Sequence, residues 1–161
     1  MIDDETFTRL IREYSPNMYR LSFGILHSGA DAEDAVSEAI LKAYENLGTL
    51  RKPERFRAWI MQITANEARK IYRKNMRITC MDSMEETLSA TLQAAMPSFV
   101  DDRHELWDAV MKMELIYREV IILYFYESLS IKEIGQVLHI APGTVKSRLH
   151  RGKKQLQKEL L

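Results

Sequence analysis

A single cysteine, Cys80, in 161 residues rules out an internal disulfide, and no Cys/His set shows zinc-ligand spacing. Only four prolines and six glycines punctuate the chain. No stretch sustains apolar–polar alternation of period two, which argues against a β fold. The longest apolar run, Val120 to Tyr126, is far short of a membrane span. The acidic N-terminus lacks the apolar core of a signal peptide. The expectation is a cytoplasmic chain with no membrane insertion of its own. The four histidines (His27, His104, His139, His150) are scattered. No paired His/Asp/Ser set, metal-ligand cluster or phosphate-cradling glycine loop accompanies them, so no catalytic residue, metal or cofactor is expected and the chain does not read as an enzyme.

Net charge is also missing, since 23 bases balance 23 acids. The balance hides a pattern. Residues 1–50 carry a net −5, residues 51–77 a net +7, residues 78–140 a net −7 and residues 141–161 a net +5. Two basic blocks between acidic ones suggest two contacts with a polyanion and acidic surfaces left for another partner.

With β structure disfavoured, the periodicities read as an all-α chain of two small helical domains joined by a flexible linker. Phe7, Leu10, Ile11, Tyr14, Met18 and Leu21 keep helical spacing. Ser28-Gly29 breaks that helix, and Asp31 with Asp34 opens the next, burying Ala35, Val36, Ala39, Ile40 and Ala43. A basic loop, Gly48 to Arg55, leads into a third helix from Phe56 to about Lys74, with Trp59, Ile60, Ile63, Ala68 and Ile71 as its apolar side. Residues 78–100 hold three acids and no base, and read as a linker with weak helical content near Met84 to Ala95. Fully extended, it would reach ~75 Å at ~3.3 Å per residue, roughly two turns of duplex DNA. A second helical module starts near Asp101, with Leu106, Val110 and Met113 on one stripe. Val120 to Phe125 suits a buried strand on propensity alone. The charges at Arg118, Glu119 and Glu127 and the helical surroundings favour a core helix.

The stretch Leu129 to Leu156 is the most informative. Ser130 with Glu133 makes a capping box, and Leu129 with Ile134 sits where a hydrophobic staple closes over it. Ile134, Val137 and Leu138 bury the first helix. His139-Ile140-Ala141 makes a turn, and Pro142 suits the first position of the next helix. At ~100° per residue Val145, Leu149 and Leu156 share one side of that helix. Ser147, His150, Arg151 and Lys154 share the other, with Lys146 and Arg148 on the flanks. A helix buried along one stripe and cationic opposite is what the DNA major groove requires. A charge run is usually only a solvated face, but six bases against one acid after Ala141 is not the mixed-sign pattern of such a face.

Taken in order, DAEDAVSEAILKAYENL at 31–47, FRAWIMQITANEARKIYRK at 56–74, the acidic linker, YREVIILYFYESLS at 117–130 and IKEIGQVLHIAPGTVKSRLHRGKKQL at 131–156 resemble the bacterial extracytoplasmic-function sigma factors over nearly the whole chain. The resemblance implies that residues 1–77 are sigma region 2, which docks on the RNA polymerase clamp and opens the −10 element. Residues 78–100 would be the linker. Residues 101–161 would be region 4, which docks on the polymerase flap and reads the −35 element through its helix-turn-helix. It implies Asp31, Glu33, Asp34 and Glu38 as polymerase contacts, although acids at a helix start also serve as caps. It implies −10 DNA contacts near Asn66, Arg69, Lys70, Arg73 and Trp59, with Trp59 and Phe56 open to either a base pocket or the core. The −35 contacts would be Lys146, Ser147, His150 and Arg151, with Arg148 and Lys154 toward phosphates and Thr144 at the helix start. An anti-sigma factor is the second partner implied. The alternative is a stand-alone helix-turn-helix repressor or activator, which would need a dimer and a palindromic site. Four departures stand out. Ser37 replaces a usual glutamine and His139 a glycine. Gly152 replaces an alanine, at an expected ~0.8–1 kcal/mol of helix propensity. Glu114 replaces a proline, so the first two helices of the second module are expected to run together.

Overall fold

A computed structural model describes residues 1–81 and 104–161, with side chains described over 1–79 and 104–161. Among the described residues the regular elements are all helical, and they form two compact units, one on each side of the undescribed stretch. The expected acidic linker lies, from residue 82 onward, outside the described residues, as does its weakly helical Met84–Ala95. No described helix is long and apolar enough to cross a membrane.

The first unit is three mutually packed helices, α1 (Asp4–Leu26), α2 (Gly29–Glu45) and α3 (Phe56–Met81). Asp3 caps α1, its carboxylate accepting from the Thr6 amide at 2.7 Å. Hydrogen bonding from the Thr6 hydroxyl, and then from this amide, holds the Asp3 carboxyl below its ordinary pKa. Pro16 sits inside α1 on the exposed side, where its ring meets solvent. His27 ends α1 in the left-handed conformation, and Ser28 at once caps α2 by accepting from the Asp31 amide. Thus α2 begins two residues before Asp31. The side of α2 facing its neighbours is a ladder of alanines, Ala32, Ala35, Ala39 and Ala43, all fully buried, while Val36 and Ile40 are only half-buried. Two short 3-10 turns, Leu47–Thr49 and Pro53–Arg55, carry the chain into α3. That helix runs past Lys74 to Met81, seven residues beyond the sequence boundary. Its buried side is Phe56, Ile60, Met61, Thr64, Ala65, Glu67 and Ala68.

The second unit comprises α4 (His104–Met111), α5 (Leu115–Ile121) with a π-helical turn over Ile122–Tyr126, α6 (Ile131–Leu138) and α7 (Pro142–Leu160). The last helix is central and packs on α4, α5 and α6. Trp107 is buried on α4 and meets Tyr126 edge-on at 5.3 Å, whereas Leu106, expected on the buried stripe, is half-exposed. Val120 to Leu123 is fully buried and helical, so the strand alternative falls.

The expectation that α4 and α5 run together is overturned. Glu114 adopts an extended conformation (φ −61°, ψ 147°), and its carbonyl starts α5 by accepting from Tyr117 and Arg118. The buried Arg118 guanidinium donates to the Met113 carbonyl at 2.8 Å, which satisfies the backbone opened by the break. Proline is therefore unnecessary there. Arg118, Glu119 and Glu127, the charges that argued against a strand, are all buried.

Candidate nucleic-acid interface

In the second unit the local sequence builds the turn as its chemistry dictates. Ser130 accepts from the Glu133 amide at 3.1 Å and its own amide donates to the Glu133 carboxylate at 3.0 Å, closing the capping box. Leu129 and Ile134 are both buried beside it. His139 ends α6 at φ 58°, ψ 44°, left-handed, where His is among the less costly non-glycine residues. Ala141 is extended and Pro142 opens α7, with the Thr144 and Val145 amides donating to the Ala141 carbonyl.

The last helix, α7, is two-sided. Val145, Leu149, Gly152 and Leu156 are buried, while Lys146, Ser147, His150, Arg151 and Lys154 are exposed on the remaining surface. Thr144 and Arg148 are half-buried on the flank nearest α5. Gly152 has a packing role that composition concealed. A Cβ there would lie 3.0 Å from Ile121 and 3.3 Å from Met113, so the residue that lowers helix propensity lets α7 approach α5 closely. On the far flank the Lys153 ammonium sits over the Tyr124 and Phe125 rings at 5.2 and 5.7 Å.

In the first unit Trp59, Asn66, Lys70 and Arg73 share one stripe of α3 at ~100° per residue, with Arg69 beside it. Lys70 and Arg73 are exposed, while Asn66 and Arg69 are half-buried. Trp59 is half-buried with its ring 5.6 Å from that of Phe56, whereas Phe56 itself is core, 2% exposed. The basic block also contains a buried acid that sequence reasoning passed over. Glu67 accepts from Lys42 of α2 at 2.8 Å and lies 3.4 Å from Lys70. The hydrogen bond to Glu67 holds the Lys42 ammonium above its ordinary pKa.

The four acids of α2 separate. Asp31 is half-buried and accepts from the Asn75 side chain of α3 at 3.0 Å. Glu33 lies near Tyr19, whose hydroxyl is pushed up first by burial and then by that charge. Asp34 and Glu38 stand exposed one turn apart. Leu41, 58% exposed, continues their stripe. Its signal in the sequence was an apolar residue off the alanine stripe.

A two-lobed helical chain, with a cationic recognition helix in one lobe and an acidic helix face in the other, has the architecture of a transcription-initiation factor. Family models for "Sigma-70 region 2" and "Sigma-70, region 4" match residues 10–78 and 103–156 respectively. Among curated relatives, the ECF RNA polymerase sigma factor SigW of Bacillus subtilis is 31% identical, over 98% of this chain and 90% of that protein. SigV of the same organism is 32% identical, over 93% and 88%. Among solved structures, the sigma factor RpoE of Bartonella quintana, in complex with the anti-sigma factor NepR, aligns with a TM-score of 0.76 at 21% identity, covering 96% of each chain. CnrH, in complex with the cytosolic domain of CnrY, aligns at 0.67 and 22%, covering 98% of this chain and 89% of that one. The chain belongs to the extracytoplasmic-function sigma factors of the sigma-70 family. It acts as an alternative sigma factor, directing RNA polymerase core to promoters.

Proposed function

We propose that residues 1–77 dock on the polymerase clamp and open the −10 element, and that residues 101–161 dock on the flap and read the −35 element, with residues 78–100 as their tether. Lys146, Ser147, His150 and Arg151 meet base edges, and Thr144, Arg148 and Lys154 meet phosphates. Asn66, Arg69, Lys70 and Arg73 hold the strands near −10, with Trp59 at the edge of the base-capture site. Asp34 and Glu38 meet the clamp, Leu41 supplying an apolar anchor between charges, with Asp31 and Glu33 in support. The protein works in the cytoplasm and contributes no catalysis of its own. An anti-sigma factor restrains it, a reading supported by the NepR-bound relative.

The single observation that carries this reading is the exposed set Lys146, Ser147, His150, Arg151 and Lys154 on a helix whose other side is locked into the core. Each DNA contact is weak alone and becomes effective when tethered to one enzyme. The test is run-off transcription with bacterial core polymerase, this chain and a pool of genomic fragments, with start sites mapped. New start sites that depend on the chain support the reading. None on any fragment overturns it.

A further inference from the structure

Beside the exposed face of α7 is a second feature that base reading does not use. An open crevice of about 440 Å³ lies between the start of α5 and the first three turns of α7. Ile116 and Tyr117 form one wall, and Thr144, Ser147, Arg148 and Arg151 form the other. Its lining residues carry two guanidinium groups and three hydroxyls, and among the described residues no Asp or Glu lines it. Arg148 is half-buried here, on the flank of α7, rather than extended into solvent with the face that includes His150 and Lys154. Tyr117 stands outside the helix-turn-helix, in the first turn of α5, so the motif alone gives no reason to assign it a role.

An anion is the chemistry this lining fits. Arginine hydrogen-bonds a phosphate through its planar fork, and hydroxyls donate to the remaining oxygens. The crevice is continuous with the major-groove face through Ser147 and Arg151, which border both. A helix seated in a groove has the sugar–phosphate strand along its flank. Ile116, 40% exposed, gives the crevice an apolar lip suited to a deoxyribose.

We propose that this crevice holds one phosphodiester of the promoter backbone beside the −35 element, with Tyr117 and Arg148 as its donors. The inference rests on the reading of α7 as the −35 helix and adds a contact from α5. It makes Tyr117 a DNA-binding residue that fixes how deeply α7 enters the groove.

The experiment uses the full chain in holoenzyme and a promoter duplex mapped by run-off. Single methylphosphonate linkages, which remove one phosphate charge each, are placed in turn through the −35 element and its flanks. Tyr117→Phe removes one oxygen and keeps the ring. It should weaken promoter binding about five- to tenfold, as should Arg148→Ala. One linkage should weaken the wild type to a similar extent, and at that linkage Tyr117→Phe should cost less than a further twofold. Arg148→Ala should also lower the salt slope by about one, while Tyr117→Phe leaves it unchanged. If no linkage couples to either variant while Lys146→Ala still abolishes −35 dependence, the crevice holds no phosphodiester and this inference alone falls. If Lys146→Ala and His150→Ala also leave −35 dependence intact, the reading of α7 falls with it. Saturable chemical-shift changes at Tyr117 and Arg148 with inorganic phosphate, without coupling on DNA, would identify a free-anion site and overturn the assignment to DNA.

Discussion

Replacing Gly135 by alanine should destabilise the second unit, although alanine is the better helix former. A Cβ at this position would lie 2.8 Å from the Ile140 carbonyl oxygen, with Pro142 N and Val145 Cγ2 each at 3.8 Å. That oxygen belongs to the turn backbone and cannot swing aside as a side-chain end would. The turn is also tied to Gly135, whose carbonyl accepts the His139 and Ile140 amides. Relief requires the turn and the start of α7 to shift together against α6. Overpacking costs ~1–3 kcal/mol, and a clash with backbone falls in the upper half of that range, ~2–3 kcal/mol; set against ~1 kcal/mol gained in helix propensity, this leaves a net loss of about 1–2 kcal/mol. For a unit of this size that lowers Tm by roughly 4–16 °C. The chain has two tryptophans, Trp59 in the first unit and Trp107 in the second. In a Trp59→Phe background the fluorescence of Trp107, 1% exposed, reports unfolding of the second unit. Gly143→Ala is the control, because its Cβ would meet nothing within 4 Å and should not lower Tm. A Gly135→Ala protein that melts at or above its background would refute the reasoning.

Four further outcomes are expected. His139→Gly relieves a left-handed side-chain residue at φ 58° and should stabilise the second unit by about 0.5–1 kcal/mol in the same assay; a lower Tm counts against this. The Lys42–Glu67 pair contributes stability at pH values below the ordinary lysine pKa of 10.5 and loses it as pH rises through the higher folded value. The stability gap between wild type and Glu67→Gln, read from Trp59 in a Trp107→Phe background, should therefore narrow above that pH, and a constant gap would contradict it. Asp34→Ala with Glu38→Ala should weaken the chain in competition with another sigma factor for core polymerase; unchanged competition would mean these acids only cap and solubilise α2. Arg151→Ala should reduce transcription from promoters that need the −35 element about tenfold or more while core competition holds, since a good base contact is worth ~1–3 kcal/mol; equal activity across a salt series would sink that assignment.

The elements that local chemistry specifies were readable in advance. Ser130, Glu133, Leu129 and Pro142 act within a few residues of themselves, so the capping box and the start of α7 are where their spacing puts them. The two faces of α7 followed from helical period alone. What was hidden depends on distant partners. Glu67 looks like an interruption of a basic block until Lys42, on another helix, is brought to 2.8 Å. Trp107 is buried and Leu106 is not because Tyr126 and α7 decide which side of α4 is inward. The break at Glu114 needed the Arg118 guanidinium folded back onto Met113, a contact that ordinary break signals do not announce. The π-helical turn at Ile122–Tyr126 has no compositional mark that distinguishes it from plain α-helix. Likewise, Asp31 shares the charge of Asp34 and Glu38, and only the Asn75 side chain separates it from them.

The alanine ladder of α2 bears on how the first unit meets its enzyme. At those four rungs methyl groups are the only side-chain atoms α2 turns toward its two supports, so no long rotamer there can loosen the fit. Asp34, Glu38 and Leu41 project from the side of α2 away from that ladder, on a helix seated by short side chains. On the proposed clamp reading, a surface presented that way would lose little freedom on docking and would need no folding step. For a subunit that must be taken up and released by a shared polymerase, that rigidity is a working property of four of the smallest side chains in the protein.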